Sequence, residues 1–249
     1  MSKKNARWRK LDNAAKLYSA ASNKKDTRVF RFYCELKEEV NPKALQEALN
    51  QTIETFPTFL MVLRKGFFWH YLEPCNLRPI VKEEYKEPCS RLYIRDKKTL
   101  LFEVTYYKKR INFEVFHVLT DGTGATEFLK ELVKNYLYLV HKEEGLEQIT
   151  LLPEDMTVQD QEDDSFLKYY SKNQKRPKKR KLNAFQIRRK KKDGNHLHVH
   201  ESVVPVQAVL KRSRELGVSM TIFLTALFMM AINEEMSKMQ KKKPVVLMV

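Results

Sequence analysis

One stretch of the sequence constrains the fold more than any other, because two strand patterns and a helix pattern follow each other in it without a gap. Leu100 to Tyr107 and Ile111 to Phe116 both alternate between apolar and polar residues. The basic triplet Lys108-Lys109-Arg110 separates them. An alternation with a period of two, interrupted by a short polar segment, predicts a β-hairpin.

A helix is predicted immediately after this hairpin. Gly122 and Gly124 interrupt the strand pattern, and the helical pattern begins near Ala125. Its large apolar residues recur at helical spacing on one face: Phe128, Leu129, Leu132, Val133 and Tyr136. A helix with one apolar face packs that face on a neighbouring element, so the segment as a whole predicts a hairpin followed by a helix that packs on the sheet.

A second amphipathic helix is predicted between Asn41 and Phe56. Asn41 is a favourable N-cap residue, because its side-chain oxygen can accept a hydrogen bond from the first turn. Pro42 fits the first helical position, where a missing N–H costs no hydrogen bond. Pro57 follows Phe56 and predicts the end of the helix.

Further strand patterns occur nearer the N-terminus. Val29 to Leu36 alternates as a strand, and Phe59 to Glu73 is typical of two strands joined at Arg64-Lys65-Gly66. Arg7 to Ala20 is predicted to be an irregular, partly packed arm. Together these elements predict an α/β (α+β) fold, with a mixed β-sheet flanked by helices.

Composition divides the chain into three parts. Residues 1–150 contain the elements described above. Residues 151–195 are first acidic and then strongly basic, and they predict a charged linker or crossover on the surface. Residues 196–249 predict a strand, a helix that ends at Gly217, a buried helix that Ser219 caps, and a final strand.

Charge and cysteine content narrow the setting in which we expect the chain to work. The net charge is +16, from 47 Lys and Arg against 31 Asp and Glu, which favours an anionic partner such as nucleic acid, an acidic membrane or a phosphate-bearing small molecule. Cys34, Cys75 and Cys89 fit no metal motif and indicate reduced thiols. The chain begins without an apolar leader pattern, and Ile222 to Ile232 is too short to span a bilayer. We therefore expect a cytoplasmic protein with no membrane span.

The strongest candidate for chemistry is His117. It ends the second strand of the hairpin, and Asp121 and Gly122 follow at the turn into the helix. A strand end fixes the backbone, while the loop exposes the imidazole, which in its neutral form can take a proton from a hydroxyl. Asp121 can hold the loop by pairing with an arginine, or it can be a helix-start residue, and the two roles are compatible. Gly122 leaves room for backbone or a ligand to approach.

The sequence HVLTDG resembles the H-x-x-x-D-G motif of the chloramphenicol acetyltransferase-like superfamily, which includes plant acyltransferases, condensation domains of peptide synthetases and bacterial alcohol acetyltransferases. As in that family, the motif follows a hairpin and precedes an amphipathic helix. Other segments are similar to the bacterial alcohol acetyltransferase branch: RWRKLDNAAKLYSA, ETFP, GFFWHYLE and DSFLKYY. The resemblance covers most of the chain and stops at PVVLMV.

This resemblance implies the N-terminal lobe of a two-lobed acyltransferase. An acyl group, expected to be acetyl, would pass from acyl-CoA, a co-substrate, to a small alcohol or amine. The implied catalytic residues are His117 as general base, Asp121 in a structural role, and Gly122. No metal or redox cofactor is implied, and a second lobe, in the same chain or in a partner, would complete the enzyme.

Three alternative interpretations stay open at this point. His117 could be a structural histidine in a non-catalytic binding or interaction module with the same fold. The basic run from Lys172 to Lys192 could be a solvated loop, a surface for the phosphates of coenzyme A, or part of a nucleic-acid-binding protein. His196, His198 and His200 alternate along a predicted strand, and we interpret them as incidental surface residues and not as metal ligands.

Overall fold

The computed structural model divides the chain into two structural units, Met1–Tyr170 and Ser171–Val249, and each is described by itself. The residues that the structure describes are 8–23, 26–67, 69–95, 97–144, 183–187 and 199–247. The strands of the first unit are β1 (Arg9–Lys10), β2 (Val29–Glu35), β3 (Met61–Lys65), β4 (His70–Pro74), β5 (Lys82–Glu83), β6 (Phe102–Tyr107) and β7 (Arg110–Phe116). Its helices are α1 (Asn13–Ala21), α2 (Pro42–Thr55) and α3 (Gly122–Val140).

The first unit is α/β (α+β), with a mixed sheet flanked by helices, as the sequence predicts. The four-stranded sheet has the order β2-β7-β6-β5, in which β7 pairs antiparallel with β2 and β6 while β5 pairs parallel with β6. A separate three-stranded sheet, β1-β4-β3, is antiparallel. Both hairpins predicted from the alternating patterns are confirmed, at β3–β4 and at β6–β7.

One face of the four-stranded sheet packs against α3 through aromatic side chains. Phe113 of β7 lies opposite both Phe32 of β2 and Val104 of β6 in the strand register. The Phe128 ring of α3 stacks on the Phe113 ring with 4.7 Å between their centroids, and both side chains are fully buried. Burial of aromatic rings of this size dominates the energetics of a core, so this contact fixes α3 on the sheet.

Helix α2 packs beside α3, and polar groups hold the two helices together. Asn41 caps α2 as predicted, with its side-chain oxygen accepting hydrogen bonds from the first turn. The Asn41 backbone N–H donates to the Tyr136 hydroxyl of α3 at 2.9 Å, and Asn135 donates to the Thr52 hydroxyl at 3.0 Å. Both Asn135 and Thr52 are buried, so the hydrogen bond satisfies polar groups that would otherwise destabilise the interface.

The prediction of an irregular N-terminal arm is wrong. Residues 13–21 form α1, a 9-residue helix whose N-cap, Asp12, accepts a hydrogen bond from Ala15 N at 2.6 Å. Leu11 and Ala15 are both 4% exposed and belong to the core. The helix is short and its apolar positions are few, so its periodicity alone did not reveal it, whereas the Asp12 cap is a local signal that could have.

In the second unit the structure contains helices α4 (Val206–Glu215) and α5 (Met220–Glu234), both near their predicted positions. Gly217 has a φ of 67°, and the N–H groups of Gly217 and Val218 donate to Arg214 O and Ser213 O, so the predicted glycine termination of α4 is confirmed. Ser219 caps α5 as predicted, accepting from Ile222 N at 3.2 Å.

Two expectations for the second unit are wrong within its described residues. α5 was predicted to be buried, yet most of its large apolar side chains are exposed, with Ile222 and Phe228 at 57% and Met230 at 60%. Residues 199–205 and 244–247 form no strand. Among the described residues, one backbone hydrogen bond, from Phe185 N to Pro244 O, joins residues 244–247 to residues 183–187. A strand needs a partner along its length, and the described residues of this unit supply none.

No described helix is by itself long and apolar enough to cross a membrane, and α4 and α5 meet that criterion only when taken together, across a bend of 88°. The division into residues 1–150, 151–195 and 196–249 stays a prediction, because most of residues 151–195 lies outside the described residues.

Candidate active site

His117 lies immediately after the last residue of β7, and backbone hydrogen bonds fix it on both sides. Its own N–H donates to Arg28 O at 2.9 Å, and the N–H of Phe116 donates to Leu101 O at 2.7 Å. The N–H of Leu119 donates back to Phe116 O at 2.8 Å and closes a turn. These hydrogen bonds tie the backbone at the candidate base to the neighbouring segments of the sheet.

The His117 ring contacts two aromatic residues from other elements. It stacks on the Tyr18 ring of α1, with 3.9 Å between centroids and 16° between planes. The Phe30 ring of β2 lies 4.9 Å away at a tilt of 57°. The side chain of His117 is half-buried, and within the described residues neither ring nitrogen takes part in a hydrogen bond. An incoming group would therefore displace no described hydrogen-bond partner of either nitrogen.

Asp121 is the N-cap of α3, and its side-chain oxygen accepts a hydrogen bond from Gly124 N at 2.9 Å. This cap explains why α3 begins at Gly122, three residues before the predicted start near Ala125. The basic partner expected for Asp121 is not found: among the residues that the structure describes, Asp121 forms no ion pair. The carboxylate is exposed and organises the turn through the helix end.

The two glycines after Asp121 have different surroundings. A Cβ added at Gly122 would meet only the Phe32 ring at 3.9 Å, which is ordinary van der Waals contact. A Cβ added at Gly124 would overlap the Thr120 hydroxyl. The close approach at the start of α3 is therefore at Gly124, for which the sequence predicted only an interruption of the strand pattern, while the described neighbours of Gly122 leave space beside it.

On the other face of the sheet, a partly buried cluster of charged side chains lies behind the candidate site. Glu114 of β7 accepts hydrogen bonds from Arg31 Nε at 2.9 Å and from Cys89 N at 2.6 Å. Glu84 pairs with Arg31 at 2.5 Å and with Arg110 at 3.0 Å. The cluster ties the segment containing residues 84–89 to β2 and β7, and so braces the strand that carries His117.

The charges of this cluster stabilise each other's ionised forms. Burial acts to lower the pKa of Arg31, but its hydrogen bonds and charge interactions with Glu84 and Glu114 outweigh burial and raise that pKa above its ordinary value. Burial acts to raise the pKa of Glu84, yet Arg31 and Arg110 hold it below its ordinary value. Sequence reasoning missed this cluster, because its members become neighbours only through the strand register, which pairs Arg31 with Glu114.

The cysteines are weak candidates for nucleophilic chemistry. Burial raises the pKa of Cys34, Cys75 and Cys89 above the ordinary value of 9.0. A raised pKa keeps a thiol protonated at neutral pH, and the thiolate is the reactive form. All three are free thiols, and His117 is left as the stronger candidate among the described residues.

The other sequence candidates are not brought together with His117. Among the described residues, no group of three or more His, Cys, Asp or Glu side chains could hold a metal ion. His200 is exposed, and His196 and His198 lie outside the described residues. Most of the basic run from Lys172 to Lys192 also lies outside them.

Neither a protein-family model nor a curated protein sequence matches this chain. Among solved structures, it is similar to the starter condensation domain of rhizomide synthetase, at 13% identity over 58% of this chain and 40% of that one, with a TM-score of 0.47. A form of that domain has been crystallised in complex with C8-CoA.

Two further structures have comparable scores. The first condensation domain of the calcium-dependent antibiotic synthetase, in complex with a substrate analogue, matches at 14% identity over 59% of this chain and 40% of that one, with a TM-score of 0.44. Polyketide synthase associated protein 5 from Mycobacterium tuberculosis matches at 16% identity over 59% and 36%, with a TM-score of 0.43. The chain spans about 40% of the length of the first of these solved chains.

Proposed function

We propose that this chain carries the base-bearing part of an acyltransferase that moves an acyl group from acyl-CoA to an alcohol or amine. The observation that carries the proposal is His117, which stands at the end of β7 with both ring nitrogens unpartnered among the described residues, inside the sequence HVLTDG. A fixed backbone and an available nitrogen are what a general base needs.

The chemistry follows from these properties. The His117 imidazole takes the proton of the acceptor hydroxyl or amine while the oxygen or nitrogen attacks the thioester carbonyl carbon. The C–S bond of the resulting tetrahedral intermediate then breaks, and the imidazolium returns the proton to the departing thiolate. The products are an ester or amide and free coenzyme A. The thioester supplies the activation, so His117 needs to move only one proton. Asp121 shapes the loop by capping α3, and the space beside Gly122 admits substrate.

We further propose that additional protein covers α5 in the working enzyme, either later in the same polypeptide or in a partner chain. The large apolar side chains exposed on this helix include Ile222, Leu224, Leu227, Phe228 and Met230. Contiguous exposed apolar surface of this kind marks an interaction site. Proximity of two bound substrates supplies a large part of the rate of such a reaction, so residues 1–249 alone should turn over slowly or not at all.

The test is a thiol-release assay with acetyl-CoA and a panel of alcohols and amines. It compares residues 1–249 alone with the same residues joined to any further sequence that the gene encodes, or mixed with a partner chain. His117→Ala should lower the turnover of the active form by a factor of about 10² to 10⁴, the usual contribution of a general base. His70→Ala is the matched control, since His70 is also partly buried but lies on β4. Full activity of His117→Ala would show that the base is misassigned.

A non-catalytic binding module is the second candidate function. The packing of the His117 ring against Tyr18 and Phe30 favours it, because a structural histidine is held in the same way. The two candidates differ in what His117→Ala removes. If His117 is only structural, the substitution lowers the melting temperature and no acyl transfer is found in any form of the chain. If it is the base, acyl transfer is lost while the variant stays folded.

A further inference from the structure

We propose that Tyr18 is a positioning residue for His117, which holds the imidazole plane and closes one of its faces. Because the nitrogen lone pair lies in the ring plane, a fixed plane sets the direction in which an acceptor must present its proton to the base. This inference rests on the proposed role of His117 as general base. It assigns a function to α1, the helix that the sequence patterns did not reveal.

The geometry of the stack is the first argument. The Tyr18 and His117 centroids are 3.9 Å apart with planes 16° from parallel, so the phenol ring covers one face of the imidazole. Phe30, tilted by 57° at 4.9 Å, restricts the imidazole from another direction. The terminal torsion of a histidine side chain has broad, roughly two-fold preferences, so a free imidazole samples many planes. Contact with Tyr18 and Phe30 removes most of that freedom.

The absence of any other orienting group among the described residues is the second argument. A catalytic base is usually oriented by a third group that hydrogen-bonds its far nitrogen. In the described part of the chain no side chain bonds either nitrogen of His117, and the Asp121 carboxylate accepts from Gly124 N. Among the described contacts, ring stacking is therefore the interaction that sets the imidazole plane, and it leaves the lone pair of the unprotonated nitrogen to take the acceptor's proton.

Tyr18 is itself held in place. Asp12 caps α1, and Ala15, one turn before Tyr18, is 4% exposed in the core. The N–H of Ser22 donates to Tyr18 O at 3.0 Å and closes the end of the helix. Among the described residues no hydrogen bond to the Tyr18 hydroxyl is recorded, so the contact with His117 is made by the ring alone. A phenylalanine at this position should keep it.

The first experiment measures the stack without measuring catalysis. In NMR spectra of the histidine ring protons, the His117 signal is identified by its disappearance in His117→Ala. Because the His117 ring lies over the face of the Tyr18 ring, this signal should be shifted upfield in the unmodified protein. Tyr18→Phe should keep this shift and Tyr18→Leu should remove it. Leu17→Ala, at the neighbouring position of α1 where the side chain is 60% exposed, is the control and should leave the signal unchanged.

The second experiment measures turnover in the form of the chain that is active. Tyr18→Leu should lower kcat by a factor of about 10 to 100 with little change in KM, because a base misplaced by a fraction of an ångström loses part of its effect while substrate binding remains. Tyr18→Phe should restore kcat. If Tyr18→Leu does not fold, Tyr18→Met, which keeps more of the side-chain volume, replaces it.

The two experiments separate the possible failures. An unshifted His117 signal, or one that Tyr18→Leu leaves in place, overturns the stack and with it the positioning role. A lost shift with unchanged kcat overturns the positioning role while the base assignment stands, provided that His117→Ala is inactive. An active enzyme that is indifferent to His117→Ala overturns the proposed function and the role of Tyr18 together, and the NMR shift then reports a packing contact only.

Discussion

Helices α3 and α5 are both rich in large apolar residues, yet the structure buries the apolar residues of one and exposes those of the other. Phe128 and Leu132 of α3 are completely buried against the sheet and α2. Phe228 and Met230 of α5 are 57% and 60% exposed. The apolar residues of α5 point to all sides of the helix, and this distribution is typical of a helix that other elements enclose. The apolar side chains of α3 therefore pack on other described residues of its unit, whereas most of those of α5 do not.

A matched pair of substitutions gives the largest expected effect. Phe128→Ala removes a fully buried ring that stacks on Phe113 and Phe59, and should lower the free energy of unfolding by about 3–5 kcal/mol. Phe228→Ala, on the exposed face of α5, should change it by less than about 0.5 kcal/mol. Urea unfolding of both variants measures the difference. If Phe228→Ala lowers the free energy of unfolding about as much as Phe128→Ala does, the exposed face of α5 is packed in solution. If that loss depends on protein concentration, a second copy of the chain packs on this face.

Removing one arginine from each unit should give the next largest effect. Arg31→Ala leaves Glu114, whose side chain is 3% exposed, without its ionic partner in the interior, at an expected cost of about 3 kcal/mol. Arg212→Ala breaks only the exposed pair with Glu215 and should cost about 0.5 kcal/mol or less. The same unfolding experiment measures both. Equal costs would mean that the cluster behind the sheet is more hydrated than its burial indicates.

Acid should reveal the same contrast through Glu84. Because Arg31 and Arg110 hold the pKa of Glu84 below the ordinary 4.5, Glu84 stabilises the folded state above that value, and the stabilisation is lost as the pH falls through the lower folded-state pKa. Glu84→Gln should therefore flatten the dependence of stability on pH below about pH 5. Glu215→Gln, whose carboxylate is 45% exposed in the second unit, should leave that dependence unchanged. Thermal unfolding at a series of pH values is the measurement.

Local signals in the sequence predicted much of the first unit and both helices of the second. Asn41 and Ser219 were recognisable as N-caps, and Gly217 as a helix terminator, because each acts within one turn of its own position. The hairpins followed from alternation alone. These predictions depended on residues close together in the chain, and the structure confirms them.

What the sequence did not predict depends on contacts between distant residues. Tyr18 and His117 meet only because α1 packs against the end of β7, and nothing in the local pattern around either residue indicates the other. Arg31 and Glu114 become partners through the strand register. The exposure of α5 depends on which other elements contact the helix, and the periodicity of its apolar residues does not indicate those contacts. The candidate base could therefore be named from the sequence, while the residues that orient and brace it could not.

The smallest expected effects concern the two glycines in the first turn of α3, Gly122 and Gly124. Gly124→Ala should destabilise the protein by about 1 kcal/mol, because overlap of the new methyl group with the Thr120 hydroxyl outweighs the better helix propensity of alanine. Adding Thr120→Ala removes the overlapping atom and should recover that stability. A double-mutant cycle by urea unfolding isolates the coupling between the two positions.

Gly122→Ala is the matched control within the same turn, and it should change stability by less than about 0.5 kcal/mol, since its new Cβ meets only the Phe32 ring at an ordinary distance. The pair also tests the use of the loop in catalysis. If substrate enters beside Gly122, Gly122→Ala should lower turnover without lowering stability, while the Gly124→Ala Thr120→Ala pair keeps both. Turnover by Gly122→Ala equal to that of the unmodified enzyme would show that substrate approaches His117 from another side.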